Sequence, residues 1–263
     1  EYFRKQNDWA IETSGGSWDH PTPILNLLAD GSLVDAAAKY FEIRLTALAS
    51  RAFWGGGPLY LNARRRVLDG RWGWKDPRTT FTLPIWMRLF PDARIVHIHR
   101  HGVDVAASLR HRERKSRASR FETFEKHKRL YRLLPKRGGF SGSYRCADLD
   151  RAFRLWGEYM DQIDALDRAM PGRILHVCYE DLLEDPHRQL AGVVDRLSVP
   201  CSPDQVRTVA SSANADRCFA FLRDPELVAA ATRWSAELSR WGYGPHGRAA
   251  SGQQQHPRAV IAD

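Results

Sequence analysis

Four residues in this sequence have the types and spacing to handle a transferable anion: Lys75, Arg78, Arg100 and Ser108. Arg100 closes "ARIVHIHR" (93–100), a short run rich in β-branched residues that reads as a buried strand. Gly102 then allows a tight turn into a helix. In open parallel sheets, ligands bind beyond the carboxyl ends of the strands. A helix start at that place offers free N–H groups and a partial positive charge, which suits phosphate. Ser108 falls in the second turn of that helix, where its hydroxyl can face the same cleft as Arg100. The alternative is that Arg100 pairs with Asp104 or Glu180 and has no ligand.

Lys75 ends "WGWK" (72–75), a short strand candidate. A lysine ammonium is a compact point charge that can meet the oxygen of a transferring group. The alternative is a surface lysine paired with Asp76. Arg78 either contacts the bound anion or caps the helix that follows.

Positioning these groups requires a set of elements that the pattern supplies. Ser32 to Asp35 reads as a capping-box variant opening a helix to about Phe53. Trp54-Gly-Gly-Gly57 breaks it, and Arg64 to Arg66 lie in a basic connector. Thr82 with Pro84 reads as an N-cap and a first-turn proline for a helix ending near Phe90. Strands are expected at 94–99 and 173–178, and a helix from Val103 to about Glu113. Residues 147–170 predict a long amphipathic helix, with Leu149, Phe153, Trp156, Tyr159 and Met160 on one face. Further helices are expected over 186–197, 203–212 and 225–240. Short apolar strands alternating with helices argue for an α/β fold with a parallel sheet, although only three strands are evident.

Composition excludes little and localises one feature. The chain has 263 residues, 43% apolar and 27% charged, without the eighteen-residue apolar run that a membrane-spanning helix needs. The net charge of +9 is concentrated: from Arg110 to Arg145 there are thirteen Lys/Arg against three Glu. That segment is either a solvated, flexible basic stretch or a lid that attracts an anionic ligand. No RNA-recognition, zinc-finger or helix-turn-helix pattern accompanies it, so nucleic acid is a disfavoured partner. Four cysteines without C-x-x-C spacing read as reduced structural thiols, and Cys178 as a small core residue.

Three blocks, in order, resemble the sulfotransferases that use 3′-phosphoadenosine 5′-phosphosulfate. They are "WGWKDPRTTFTLPIWMRLFPDA", the strand and turn "RIVHIHRHGVDVAASL", and "VCYEDLLEDPHRQLAGVVDRLSVP" (177–200). The first is similar to tyrosylprotein sulfotransferases and to bacterial relatives. The resemblance, which covers about Trp72 to Trp241, implies a P-loop-like three-layer α/β fold with a central parallel sheet, expected as one domain over 1–245; the Gly, Gln, Ser, His and Pro content of 246–263 reads as a disordered tail. It implies that Arg100 and Ser108 hold the 3′-phosphate of the sulfuryl donor, that Lys75 sits near the sulfuryl or bridging oxygen, and that Arg78 is a donor contact. No metal is implied, the expected location is cytoplasmic, and the sequence leaves the acceptor and the oligomeric state open.

One expected part is missing. The family's loop for the 5′-phosphosulfate follows its first strand, where backbone N–H groups and a hydroxyl surround the anion. "ETSGGSW" (12–18) has no basic residue and no apolar strand before it, and it resembles a segment downstream of that loop. The expectation is therefore that the first strand and loop precede Glu1. Without them the alternative reading is a nucleotide-binding module that catalyses nothing. A third reading is a basic nucleic-acid-binding domain that uses residues 110–145. For the base, the resemblance to tyrosylprotein sulfotransferases makes Glu1 or a neighbour a candidate, and the others are His97, His99 and His101, which alternation places on one strand face. Zinc binding by the three is disfavoured against core or cleft roles. Glu180 and Asp181 are expected in structural pairing or capping, and Trp156 and Trp234 in the core.

Overall fold

A computed structural model describes residues 2–47 and 72–248. They fall into two compact units, one within residues 1–93 with 161–163, the other within 94–160 and 164–263. The Trp54 glycine run, Arg64 to Arg66, Glu1 and residues 249–263 lie outside the described residues.

The first unit holds helices α1 (Tyr2–Thr13), α2 (Ile24–Leu28), α3 (Gly31–Thr46) and α4 (Thr79–Leu89). Its core is aromatic. Phe3 stacks on Trp74 with centroids 4.6 Å apart, and Phe41 meets Trp86 at 4.5 Å. Each such buried ring stabilises the fold by about 2–3 kcal/mol. Two caps differ from expectation. Asp30, not Ser32, caps α3, accepting from Ser32 N at 2.8 Å and Leu33 N at 3.3 Å. These bonds, with one from the Ser32 hydroxyl, hold the Asp30 carboxyl below its ordinary range. Helix α4 starts at Thr79, so Pro84 lies inside it rather than in its first turn. Burial of Phe81, Thr82, Leu83, Ile85 and Trp86 overrides the proline. The Thr82 hydroxyl is not a cap, because it donates to Asn7 Oδ1 at 2.7 Å.

The second unit holds β1 (Ile95–His99), α5 (Gly102–His127), α6 (Leu149–Ala169), β2 (Ile174–Cys178), α7 (Tyr179–Glu184) and α8 (Pro186–Arg196). It continues with α9 (Pro203–Ala210), α10 (Pro225–Arg233), α11 (Ser235–Ser239), β3 (Tyr243–Gly244) and β4 (Gly247–Arg248). Strands β1 and β2 pair in parallel, from Ile95↔Ile174 to His99↔Cys178. Among the described residues the chain is mostly helical with a small parallel sheet. Residues 72–75 form no strand. Their exposure alternates, with Trp72 and Trp74 turned in and Gly73 and Lys75 out, so the period-two signal is present without a ladder partner among the described residues. Strands β3 and β4 carry ordered backbone past residue 245 to Arg248.

Helix α5 runs fourteen residues beyond Glu113, to His127, so much of the basic segment is helical. Arg, Lys, Glu and Ala are good helix formers, and neither Gly nor Pro interrupts them. Glu113 is buried and gathers the returning chain: it accepts from the Ser141 hydroxyl at 2.5 Å, Gly142 N at 3.1 Å and Ser143 N at 2.9 Å. Arg145 makes a paired contact with Glu158, at 2.5 and 3.0 Å. Trp156 and Trp234 are in the core as expected. Trp234 also divides the helix expected over 225–240, stacking on Phe153 at 4.0 Å between α10 and α11. Gly102 serves packing more than turning. A Cβ there would meet the Phe153 and Trp156 rings at 2.7 Å, so only glycine lets the start of α5 approach α6.

Candidate functional site

Arg100 follows β1 directly, at the carboxyl end of the parallel pair. Its Nη2 lies 2.9 Å from Asp104 Oδ2 and donates to the Arg217 carbonyl at 2.7 Å. The guanidinium carbon sits 5.1 Å from the centroid of the Tyr179 ring. Its Nε is buried without a hydrogen-bond partner. Asp104, one turn into α5, accepts from Phe221 N at 2.9 Å through its other oxygen. Burial raises the Asp104 pKa, against the pull of Arg100 and the Phe221 amide. Ser108 is one turn further along the same helix face, and exposed. The pairing of Arg100 with Asp104 is therefore real, and it coexists with an exposed hydroxyl beyond it and an unpaired guanidinium nitrogen. That donor set suits a phosphate. Arg100 is held in place by Asp104, Arg217 and Tyr179.

The histidines part company. His97 and His99 share a face, with ring centroids 5.5 Å apart. His97 Nδ1 lies 3.1 Å from His176 Nδ1 on the partner strand, and burial lowers the His97 pKa well below its usual value. His101 leaves the strand and caps α5. Its Nδ1 accepts from Val103 N at 3.3 Å, and Nε2–H donates to the Gly244 carbonyl at 3.0 Å. With one nitrogen accepting and the other donating, the ring is neutral. Burial brings its pKa down to about 4. Both nitrogens are engaged in structural bonds, so His101 is no base. No cluster of three or more metal-ligating side chains occurs among the described residues.

Glu180 ties this end of the sheet together. It is fully buried and accepts from His101 N at 2.9 Å, the Tyr243 hydroxyl at 3.1 Å and the Cys178 thiol at 3.0 Å. Burial, then the Glu180 charge, pushes both the Tyr243 and Cys178 pKa values up, so each remains a protonated donor. The Tyr243 hydroxyl also meets His99 Nδ1 at 2.9 Å. Asp181 pairs with Arg248. The structural roles expected of Glu180 and Asp181 hold. All four cysteines are free.

Lys75 and Arg78 belong to the first unit. Lys75 is exposed and has no ion pair or hydrogen bond among the described residues, Asp76 included. Asp76 turns inward instead, accepting from Arg78 N at 3.1 Å and from Asn7 Nδ2 at 3.1 Å. Arg78 stands at the N-cap position of α4 without a side-chain cap bond. Its Nε lies 2.7 Å from Asp8 Oδ1, out of line for a hydrogen bond, and its Nη1 is 3.3 Å from Asp76. Arg78 thus sits between two carboxylates, those of Asp8 and Asp76.

Asn7 and Asp8 are the residues that sequence reasoning missed. Asn7 is fully buried and makes four bonds: to Asp76 and Thr79 as donor, and from Thr82 and the Trp86 indole N–H as acceptor. It locks the segment that carries Lys75 onto α4. The available signal was a polar residue on the apolar face of α1, between Phe3 and Ala10–Ile11.

The model described as "Sulfotransferase family" matches residues 17–203. No curated protein and no solved structure matches the chain.

Proposed function

Because the chain belongs to the sulfotransferase family, we propose that it moves a sulfuryl group from 3′-phosphoadenosine 5′-phosphosulfate to a hydroxyl or amine acceptor. In this reading Arg100 and Ser108 hold the donor's 3′-phosphate. Arg100 brings a planar fork and Ser108 a hydroxyl, at the mouth of a parallel strand pair. The family resemblance assigns Lys75 to the sulfuryl or bridging oxygen, whose developing charge an ammonium would stabilise. Its lack of a partner among the described residues leaves it available for that task. Arg78, Asp76 and Asn7 hold the backbone around it.

Sulfuryl transfer resembles phosphoryl transfer in needing position and charge stabilisation more than covalent chemistry from the protein. The acceptor oxygen or nitrogen bonds to sulfur as the bond from sulfur to the 5′-phosphate oxygen breaks. Adenosine 3′,5′-bisphosphate leaves, and the acceptor proton passes to a base.

The observation that carries the reading is Arg100, oriented at the carboxyl end of β1 with a buried unpartnered Nε and with Ser108 beyond it on the Asp104 face. The test is calorimetry with adenosine 3′,5′-bisphosphate and adenosine 5′-monophosphate. The bisphosphate is expected to bind at least tenfold more tightly, the value of one charge-assisted phosphate contact. Equal affinity for the two would contradict the assignment.

A further inference from the structure

The turn after α5 combines strong positive charge with exposed apolar residues. Leu130, Leu133 and Leu134 are 52%, 84% and 64% exposed. They sit in "KRLYRLLPKR" (128–137), with basic residues before and after them. Between Phe121 and Arg137 there are six Lys/Arg against two Glu. The segment is nonetheless built. Phe124 meets Tyr131 and Phe140 with centroids 5.7 and 5.1 Å apart, Phe121 stacks on Phe140 at 5.2 Å, and Lys136 lies 4.5 Å over the Phe140 ring. Arg120 anchors the return by donating to the Gly139 carbonyl at 2.9 Å. The rings pack against each other, and the leucines are left outside.

We infer that this turn docks the protein on an anionic lipid surface. Leucines in this setting enter the boundary between headgroups and acyl chains, while flanking lysines and arginines extend their charges to the lipid phosphates. An acidic polypeptide would meet the charges and leave three leucines in water. A bilayer satisfies both. The described residues include no helix long and apolar enough to cross a membrane, and the contact proposed is that of an exposed turn with the lipid surface. The inference stands on residues 121–140 and is independent of the donor-site assignment.

The experiment is co-sedimentation of the full chain with vesicles of phosphatidylcholine alone or mixed with phosphatidylglycerol. Binding to the mixed vesicles is expected to exceed binding to the neutral ones by at least about a hundredfold, and to weaken with salt. Leu133→Ser with Leu134→Ser is expected to weaken it about tenfold or more. Arg129→Glu with Arg132→Glu is expected to do so by about a hundredfold. All four positions are exposed, so circular dichroism should be unchanged. Three results would overturn the inference: no preference for anionic vesicles, binding indifferent to the two leucines, or binding of polyglutamate as tight as that of the mixed vesicles, which would point to an acidic protein partner.

Discussion

The Arg100 guanidinium lies 2.9 Å from the Asp104 carboxylate, one helical turn before Ser108. The pair presents the arginine in a fixed direction, and it also sets a negative charge beside a proposed phosphate site. Asp104→Asn keeps an acceptor for Phe221 N and removes that charge. It is expected to lower stability by about 2 kcal/mol in urea unfolding, because Arg100 loses its counter-ion. It is expected to tighten binding of adenosine 3′,5′-bisphosphate about threefold to tenfold. Weaker binding would mean that orientation of Arg100 matters more than the competing charge.

Lys75 is exposed and has no partner among the described residues, so its removal should leave folding untouched. With a sulfuryl donor and a phenolic acceptor, Lys75→Ala is expected to lower kcat by about 10²–10³, the usual loss for one charge-stabilising donor. The thermal midpoint should not move. A variant with full turnover would remove Lys75 from the transfer step.

Gly102 is a packing position. Gly102→Ala places a methyl group 2.7 Å from the Phe153 and Trp156 rings, and neither ring is the end of a flexible chain. The expected loss is about 1–3 kcal/mol by urea unfolding. An unchanged midpoint would show that α5 and α6 separate easily.

His101 makes stability depend on pH. Its pKa is about 4 in the fold against 6.5 for a free imidazole, so the unfolded chain binds the proton more readily. The contribution is fully present above pH 6.5 and falls away as pH drops toward 4, by about 3 kcal/mol in all. Asn caps helices well and does not titrate, so His101→Asn should flatten this part of the pH profile. An identical slope in the variant would place the titration elsewhere, for example on His97, whose pKa burial also lowers.

Much of this was legible in the chain because local patterns report local physics. The β-branched run before Arg100 predicted β1, and the apolar spacing of 149–160 predicted α6. The sequence blocks pointed to the family before any comparison. What escaped were effects that depend on tertiary contact. Thr82 has the type and place of an N-cap, yet Asn7, 75 positions earlier, takes its hydroxyl. Residues 72–75 alternate like a strand without a described partner to pair with. Gly102 looked like a turn residue because the aromatic wall of α6 is not visible from position 102. Glu180 and His101 show the same limit in reverse: their types suggest chemistry, and their burial and bonds assign them to structure.

The central claim is that Arg100 recognises a 3′-phosphate, and the affinity difference between adenosine 3′,5′-bisphosphate and adenosine 5′-monophosphate tests it most directly. The prediction is that Arg100→Ala abolishes this difference, with Ser108→Ala reducing it in part, while affinity for the monophosphate stays the same. A variant that keeps the preference in full would contradict the assignment of Arg100.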